Sequence, residues 1–186
     1  MNKLQKITYP NLLLVAGTGR NSGKTSFVCR ICEGWNSSLS LVCIKISIHF
    51  HWNPGADCLY SSPDMKIYEE TQATSDKDTE RMLKAGASKV LFIEADQEFV
   101  YAAFQKALEI IPENSAIICE SGSLRRYTIP SLFIMLHTSD TEPKESSKEL
   151  LSLADKIFYF EPGHLQIPEK PVVFSNYAWK LNDVSS

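Results

Sequence analysis

The segment Gly17-Thr18-Gly19-Arg20-Asn21-Ser22-Gly23-Lys24-Thr25 follows the apolar run Leu12-Leu13-Leu14-Val15-Ala16 without a break. A glycine-rich loop fed directly by a buried strand constrains this chain more than any other feature. The apolar run reads as a strand covered on both faces. The loop that leaves it, ending in Gly-Lys-Thr, reads as the turn into a helix whose first amides bind phosphate. Glycines at 17, 19 and 23 reach backbone angles closed to other residues and expose successive N–H groups as an anion-binding nest. The expected phosphate-binding residues are Gly17, Thr18, Gly19, Arg20, Asn21, Ser22, Gly23, Lys24, Thr25 and Ser26. Lys24 would reach the outer phosphates as a point charge and act in catalysis, and the Thr25 hydroxyl is suited to a magnesium ion bridging them. The strict loop pattern places a glycine five positions before Gly23, where this chain has Thr18; the leading glycine comes one residue earlier, at Gly17.

The 186 residues, 44% hydrophobic and 22% charged, suffice for one core and are few for two, so a single nucleotide-binding domain over residues 1–186 is expected. A net charge of -3 and no basic stripe give no electrostatic case for nucleic acid. Residues 1–10 are polar and mixed, and no apolar run approaches a membrane span, so neither a signal peptide nor a membrane partner is expected. Five cysteines without secretory context favour a reduced, cytoplasmic location. Cys29 and Cys32 have the spacing of a metal or redox pair, but they fall in the helix after the loop, where Phe27, Val28, Ile31 and Cys32 read as its buried stripe.

Apolar runs of strand length alternate with helical patterns from there on, which predicts an α/β, three-layer α/β/α fold of the P-loop NTPase kind around a mainly parallel sheet. Further strands are expected at 39–47, around 65–69, and at 89–95, 116–119, 131–137, 157–160 and 172–175. A helix through Arg81 to Leu83, capped by Asp76 or Asp78, should end at Gly86, and another should run from 98 to 111 before Pro112. The stretch from Ile48 to Ser62 reads as irregular and aromatic, and 138–147 as a polar surface loop.

Ligands of such sheets bind at the carboxyl ends of the strands. Glu120 ends a wholly apolar strand before the tight Ser121-Gly122-Ser123 turn, so it is the expected carboxylate for magnesium, held with Thr25, and a catalytic candidate. Lys45 lies inside an apolar run and needs a charge partner, which phosphate or Glu120 would supply. His49 and His51 follow the same strand without a convincing third metal ligand, which leaves substrate contact or surface packing open. Asp78 and Arg81 head a helix, as a cap and a solvated cation or as site residues.

The stretch from Ala16 to Thr25 resembles the loop of the dethiobiotin synthetase and cobyrinate amidase group. Its Asn-Ser-Gly-Lys-Thr portion is also similar to that of the MobB family, small GTP-binding accessory proteins of molybdenum-cofactor guanylylation. Lys45 with His49, Asp78 with Arg81, the run Ala85-Gly86-Ala87 before a strand, and Glu120-Ser121-Gly122 extend the likeness to MobB over about two thirds of the chain. His49-Phe50-His51-Trp52 and the run from Ser121 to Tyr127 depart from it. The resemblance implies magnesium-dependent binding of GTP or ATP with slow hydrolysis, and a partner protein in cofactor biosynthesis. It also implies substrate or base contacts at Lys45, His49, Asp78 and Asn176, the last because related folds often read the base with an Asn ending a strand. The loop's likeness to dethiobiotin synthetase leaves open an ATP-dependent ligase that activates a carboxylate, and a nucleotide-switched binding module without its own substrate is a third reading. Oligomeric state is not set: proteins that dimerise over this loop often carry a second lysine near its start, where this chain has Gly19 and Arg20.

Overall fold

The computed structural model describes residues 6–19, 21–50, 57–138, 142–143, 145–161, 164–165 and 167–182. Strand β1 (Ile7–Gly17) leads through the glycine loop into helix α1 (Lys24–Glu33), followed by β2 (Leu41–Ser47), β3 (Asp57–Ser61) and β4 (Met65–Glu69). Helix α2 (Asp78–Lys84), β5 (Lys89–Ala95), α3 (Val100–Leu108) and β6 (Ala116–Glu120) come next, then a 3-10 turn over Ser123–Arg126. The chain continues through β7 (Thr128–Thr138), α4 (Glu145–Ser152), β8 (Lys156–Glu161), β9 (His164–Leu165), β10 (Val172–Ser175) and β11 (Ala178–Leu181).

Nine strands form one sheet in the order β3-β4-β5-β2-β6-β1-β7-β8-β9. The six central strands pair in parallel, and β3, β4 and β9 are added antiparallel at the two edges. The expected α/β class with a mainly parallel sheet is therefore observed. Successive side chains of β1 face opposite sides: Leu13 and Val15 pack with Phe27 and Val28 of α1 and Met82 of α2, whereas Leu12, Leu14 and Ala16 pack with Val100 and Phe104 of α3. All five are at most 1% exposed, which explains an apolar run without polar alternation.

Besides β3, which forms over Asp57–Ser61 inside a stretch that reads as irregular, two expectations are corrected. Neither Asp76 nor Asp78 caps α2: the N-cap is Lys77, with no side-chain cap bond, and Asp78 is the first helical residue. The helix start is held instead by Glu80, which reaches back to accept from the Thr74 N–H at 2.8 Å and the Ser75 hydroxyl at 2.7 Å. Gly86 ends the helix as expected, at φ 106°, with its N–H on the Leu83 carbonyl and the Ala87 N–H on that of Met82.

The second correction concerns β10. It pairs only with β11, in a separate antiparallel hairpin outside the central sheet. Asn176 and Tyr177 form its two-residue turn, with φ of 52° and 60°, the left-handed pair that a tight hairpin of matching twist requires. Trp179 fixes the hairpin to the sheet, its indole N–H directed to the carbonyls of Asn11 at 3.0 Å and Ile117 at 3.1 Å. Its ring packs against Trp35, just beyond the C-terminal end of α1, and against Phe174.

Trp179→Phe keeps most of the ring and removes the N–H that both carbonyls share. Urea unfolding should show a loss of about 1–2 kcal/mol, the cost of leaving buried acceptors poorly satisfied.

Candidate functional site

Val15 lies in register with Glu120, and Lys45 with Glu120, so three adjacent parallel strands deliver the glycine loop, Glu120 and Lys45 to one edge of the sheet. A cavity of about 420 Å³ opens there, lined by the loop and start of α1 (Asn21 to Ser26) and by Lys45, Asp78, Arg81 and Glu120. It lies at the carboxyl ends of the strands, the position favoured for ligands in parallel sheets.

The geometry accounts for the shifted glycine. A Cβ on Gly17 would stand 2.1 Å from Ser22 Oγ and 3.1 Å from Lys24 Cδ, so a side chain at position 17 would displace the Ser22 hydroxyl. Ser22 is fully buried across the loop and donates to the Gly19 carbonyl at 3.2 Å. Asn21 and Gly23 have positive φ, of 57° and 82°, and Gly23 is the N-cap of α1. The start of α1, with no side-chain cap on its first amides, thus lines the cavity. Lys24 Nζ folds over the loop, donating to the Gly19 carbonyl at 3.0 Å and to Ser22 Oγ at 3.1 Å. Burial lowers its pKa; Glu120 and Asp78 oppose the effect and Lys45 adds to it. An anion in the loop would supply the counter-charge that this ammonium lacks.

The opposite wall is a charged network. The Thr25 hydroxyl donates to Glu120 Oε2 at 3.0 Å, and Glu120 Oε1 lies 3.4 Å from Lys45 Nζ. Lys45 also donates to Asp78 Oδ2, so its ammonium bridges the two carboxylates. Burial is the largest influence on Lys45 and pushes its pKa down, but Glu120 and Asp78 together outweigh it and raise it. Burial likewise pushes Asp78 up, and is outweighed by the hydrogen bond and charge of Lys45, with smaller contributions from Thr25 and Arg81, so its pKa is lowered. Arg81 reaches across to α1, donating to Ser26 Oγ at 2.9 Å, with Asp78 Oδ1 at 3.7 Å. The Thr25 hydroxyl and the Glu120 and Asp78 carboxylates form an all-oxygen set of the kind that suits a hard divalent cation such as magnesium.

Of the residues singled out in the sequence, Gly17, Thr18, Gly19, Asn21, Ser22, Gly23, Lys24, Thr25 and Ser26 form the described part of the loop and helix start, and Lys45, Asp78 and Glu120 meet them. Arg20 and His51 lie outside the described residues. His49 is exposed and does not line the cavity, its N–H bonded to Ser47 Oγ at 3.1 Å. Asn176 does not line the cavity: its hairpin packs on Trp35, just beyond the end of α1 opposite the loop. Cys29 and Cys32 are buried on α1, and Cys32 Sγ touches Cys43 Sγ of β2 at 3.5 Å.

His137 escaped the sequence reading as a site residue. It is the penultimate residue of β7, on the other side of β1 from Glu120, and its Nδ1 lies 3.0 Å from Thr18 Oγ1. Its position at a carboxyl strand end next to the loop strand was the available signal.

No family model, curated protein or solved structure matches this chain.

The Lys45 bridge has a pH consequence. A carboxyl held below its ordinary value of 3.8 contributes stability that is present above that value and lost as pH falls through the lower folded value. In Lys45→Met the main cause of the lowering is gone and burial pushes Asp78 up, so the variant should be less stable than the wild type at pH 7 and should lose less stability as pH falls. Thermal unfolding between pH 7 and pH 3 checks this; parallel curves for the two proteins would contradict it.

Proposed function

We propose that this chain is a magnesium-dependent GTP- or ATP-binding protein of the P-loop NTPase class, with slow intrinsic hydrolysis. Its three-layer α/β/α arrangement, with a glycine loop between β1 and α1, is consistent with that class. The observation that carries the reading is the convergence, on one cavity, of the loop amides and Lys24 with the hydroxyl and carboxylates of Thr25, Glu120 and Asp78. A triphosphate needs both halves: donors for its oxygens and oxygens for its metal.

Thr25, Glu120 and Asp78 would hold magnesium, which would supply positive charge to offset that of the phosphates. Lys24 would leave the Gly19 carbonyl for the outer phosphates, a neutral acceptor exchanged for a charged one. Lys45 and Arg81 would add positive charge opposite the loop, where charge shifts in phosphoryl transfer. No lining side chain stands free as a base, since Asp78 and Glu120 are both engaged by Lys45; this favours slow turnover.

The lining carries three cations, Lys24, Lys45 and Arg81, against two carboxylates. That small excess is consumed by a metal–triphosphate complex and leaves none for a further anionic substrate. Hydrolysis is thereby favoured over the ligase of the dethiobiotin synthetase type, which must also bind a carboxylate. An accessory role of the MobB kind, in molybdenum or a related cofactor's biosynthesis and with a partner protein from that chemistry, rests on the loop and on the Lys45, Asp78 and Glu120 likeness alone. Among the described residues no helix is long and apolar enough to cross a membrane.

Thermal shift with ATP and GTP, each with and without magnesium, is the direct test. At least one nucleotide should raise the unfolding midpoint, and more with magnesium. Lys24→Ala should weaken that nucleotide about ten- to hundredfold, the loss of a charge-assisted contact of about 1.5–3 kcal/mol. Glu120→Gln should keep nucleotide binding and reduce the magnesium increment. If neither nucleotide moved the wild type, the proposal would be wrong.

A further inference from the structure

Every polar atom of Thr18 is engaged. Its N–H donates to the Leu136 carbonyl at 3.0 Å, and its carbonyl accepts from Ser147 Oγ of α4 at 3.5 Å. Its hydroxyl lies 3.0 Å from His137 Nδ1 and accepts from the Thr138 N–H at 3.4 Å. The side chain is 2% exposed, and this is the residue standing where the strict loop pattern has glycine. The departure thus coincides with a built connection from the loop to β7 and α4, on the side of β1 opposite the charged wall.

The Thr138 N–H can only donate, so it takes one lone pair of Thr18 Oγ1. The hydroxyl meets His137 Nδ1 through its proton or its remaining lone pair, according to the imidazole tautomer. The His137 ring is oriented from its other side by Tyr159 of β8, edge-on with centroids 5.7 Å apart. Loop ordering costs conformational entropy whenever it is deferred until ligand binding. A loop tied at its first turn has met part of that cost on folding.

We infer that Thr18 and His137 are positioning residues: their hydrogen bond fixes the start of the glycine loop so that its amides are aimed before the anion arrives. The inference rests on the proposed nucleotide reading and deepens it. It also reverses what the pattern alone suggests. Thr18→Gly makes the loop conform to the strict pattern, yet it removes the hydroxyl and frees the backbone, so it weakens nucleotide binding.

The test compares wild type with Thr18→Gly, Thr18→Val, Thr18→Ser, His137→Leu and Thr18→Val/His137→Leu, by calorimetric titration with Mg·ATP and Mg·GTP. Thr18→Gly, Thr18→Val and His137→Leu should each bind about tenfold more weakly, the effect of one buried hydrogen bond. Thr18→Ser should recover to within about threefold of wild type, because the hydroxyl alone is needed. The double variant should bind no more weakly than either single variant, since each removes the same interaction. Amide hydrogen exchange over residues 17–25 without nucleotide should accelerate in Thr18→Gly and Thr18→Val but not in Thr18→Ser.

Thr18→Gly binding as tightly as wild type would overturn the inference, as would additive losses in the double variant. A lowered unfolding midpoint with unchanged affinity and unchanged loop exchange would reduce the pair to a structural role and overturn it too. Failure of the wild type to bind either nucleotide would instead remove the nucleotide reading, and loop exchange would then decide by itself whether the pair fixes the loop.

Discussion

The parallel pairing of β6 with β1 on one side and β2 on the other is the constraint on which the site depends. Because Val15 and Lys45 both lie level with Glu120, the loop leaving β1, the ammonium of β2 and the carboxylate of β6 emerge at one height. The pairing is held by strands buried on both faces, with Leu13, Cys43 and Ile118 toward α1 and Leu14, Ile44 and Cys119 toward α3. Slipping any of them by one residue would exchange the side chains packed against α1 with those packed against α3, so close packing on both faces holds the register. The site inherits its precision from the core rather than from the loops.

Charge at that edge is arranged to be stable without ligand and exchangeable with it. Lys45 stands between two carboxylates, Arg81 is shared between Ser26 and Asp78, and Lys24 rests on the loop's own carbonyl. An isolated buried charge would be costly, and each of these has a partner close enough to offset part of that cost. Lys24 has the least, being the one lining lysine whose pKa is lowered. A ligand anion therefore gains most at the loop, and a ligand cation gains most where Lys45 now bridges Glu120 and Asp78.

Much of this was legible in the chain. The central strands were readable because double-sided burial leaves unbroken apolar runs, and Glu120 because a carboxylate after such a run stands out. Lys45 was readable for the same reason, as a charge that an apolar strand cannot bury alone. Asp78 was found with its role divided between cap and site, because a helix's first turn favours acidic residues for either purpose. What was not legible depends on contacts distant in sequence. β3 falls in a stretch without apolar alternation and forms by pairing with β4 at an edge. β10 carries a good strand signal, but nothing local says whether a strand joins the main sheet or folds back on β11, and that difference decides the fate of Asn176. His137 looked like the last residue of a strand, since its partner Thr18 lies 119 positions away.

Glycine requirements in the loop follow from the same distant contacts. A pattern treats each position as needing small size or free backbone, but here the two needs separate. Position 17 needs small size, because Ser22 lies across it. Position 23 needs a positive φ to start α1. Position 18 needs neither, since its side chain turns away from the cavity toward β7 and finds hydrogen-bonding partners there. A loop can therefore move its leading glycine by one residue and keep its shape, provided that a neighbouring strand supplies the groups to hold the residue that replaces it. The strand that does so is β7, the neighbour of β1 opposite β6, so the loop is positioned from one side and charged from the other.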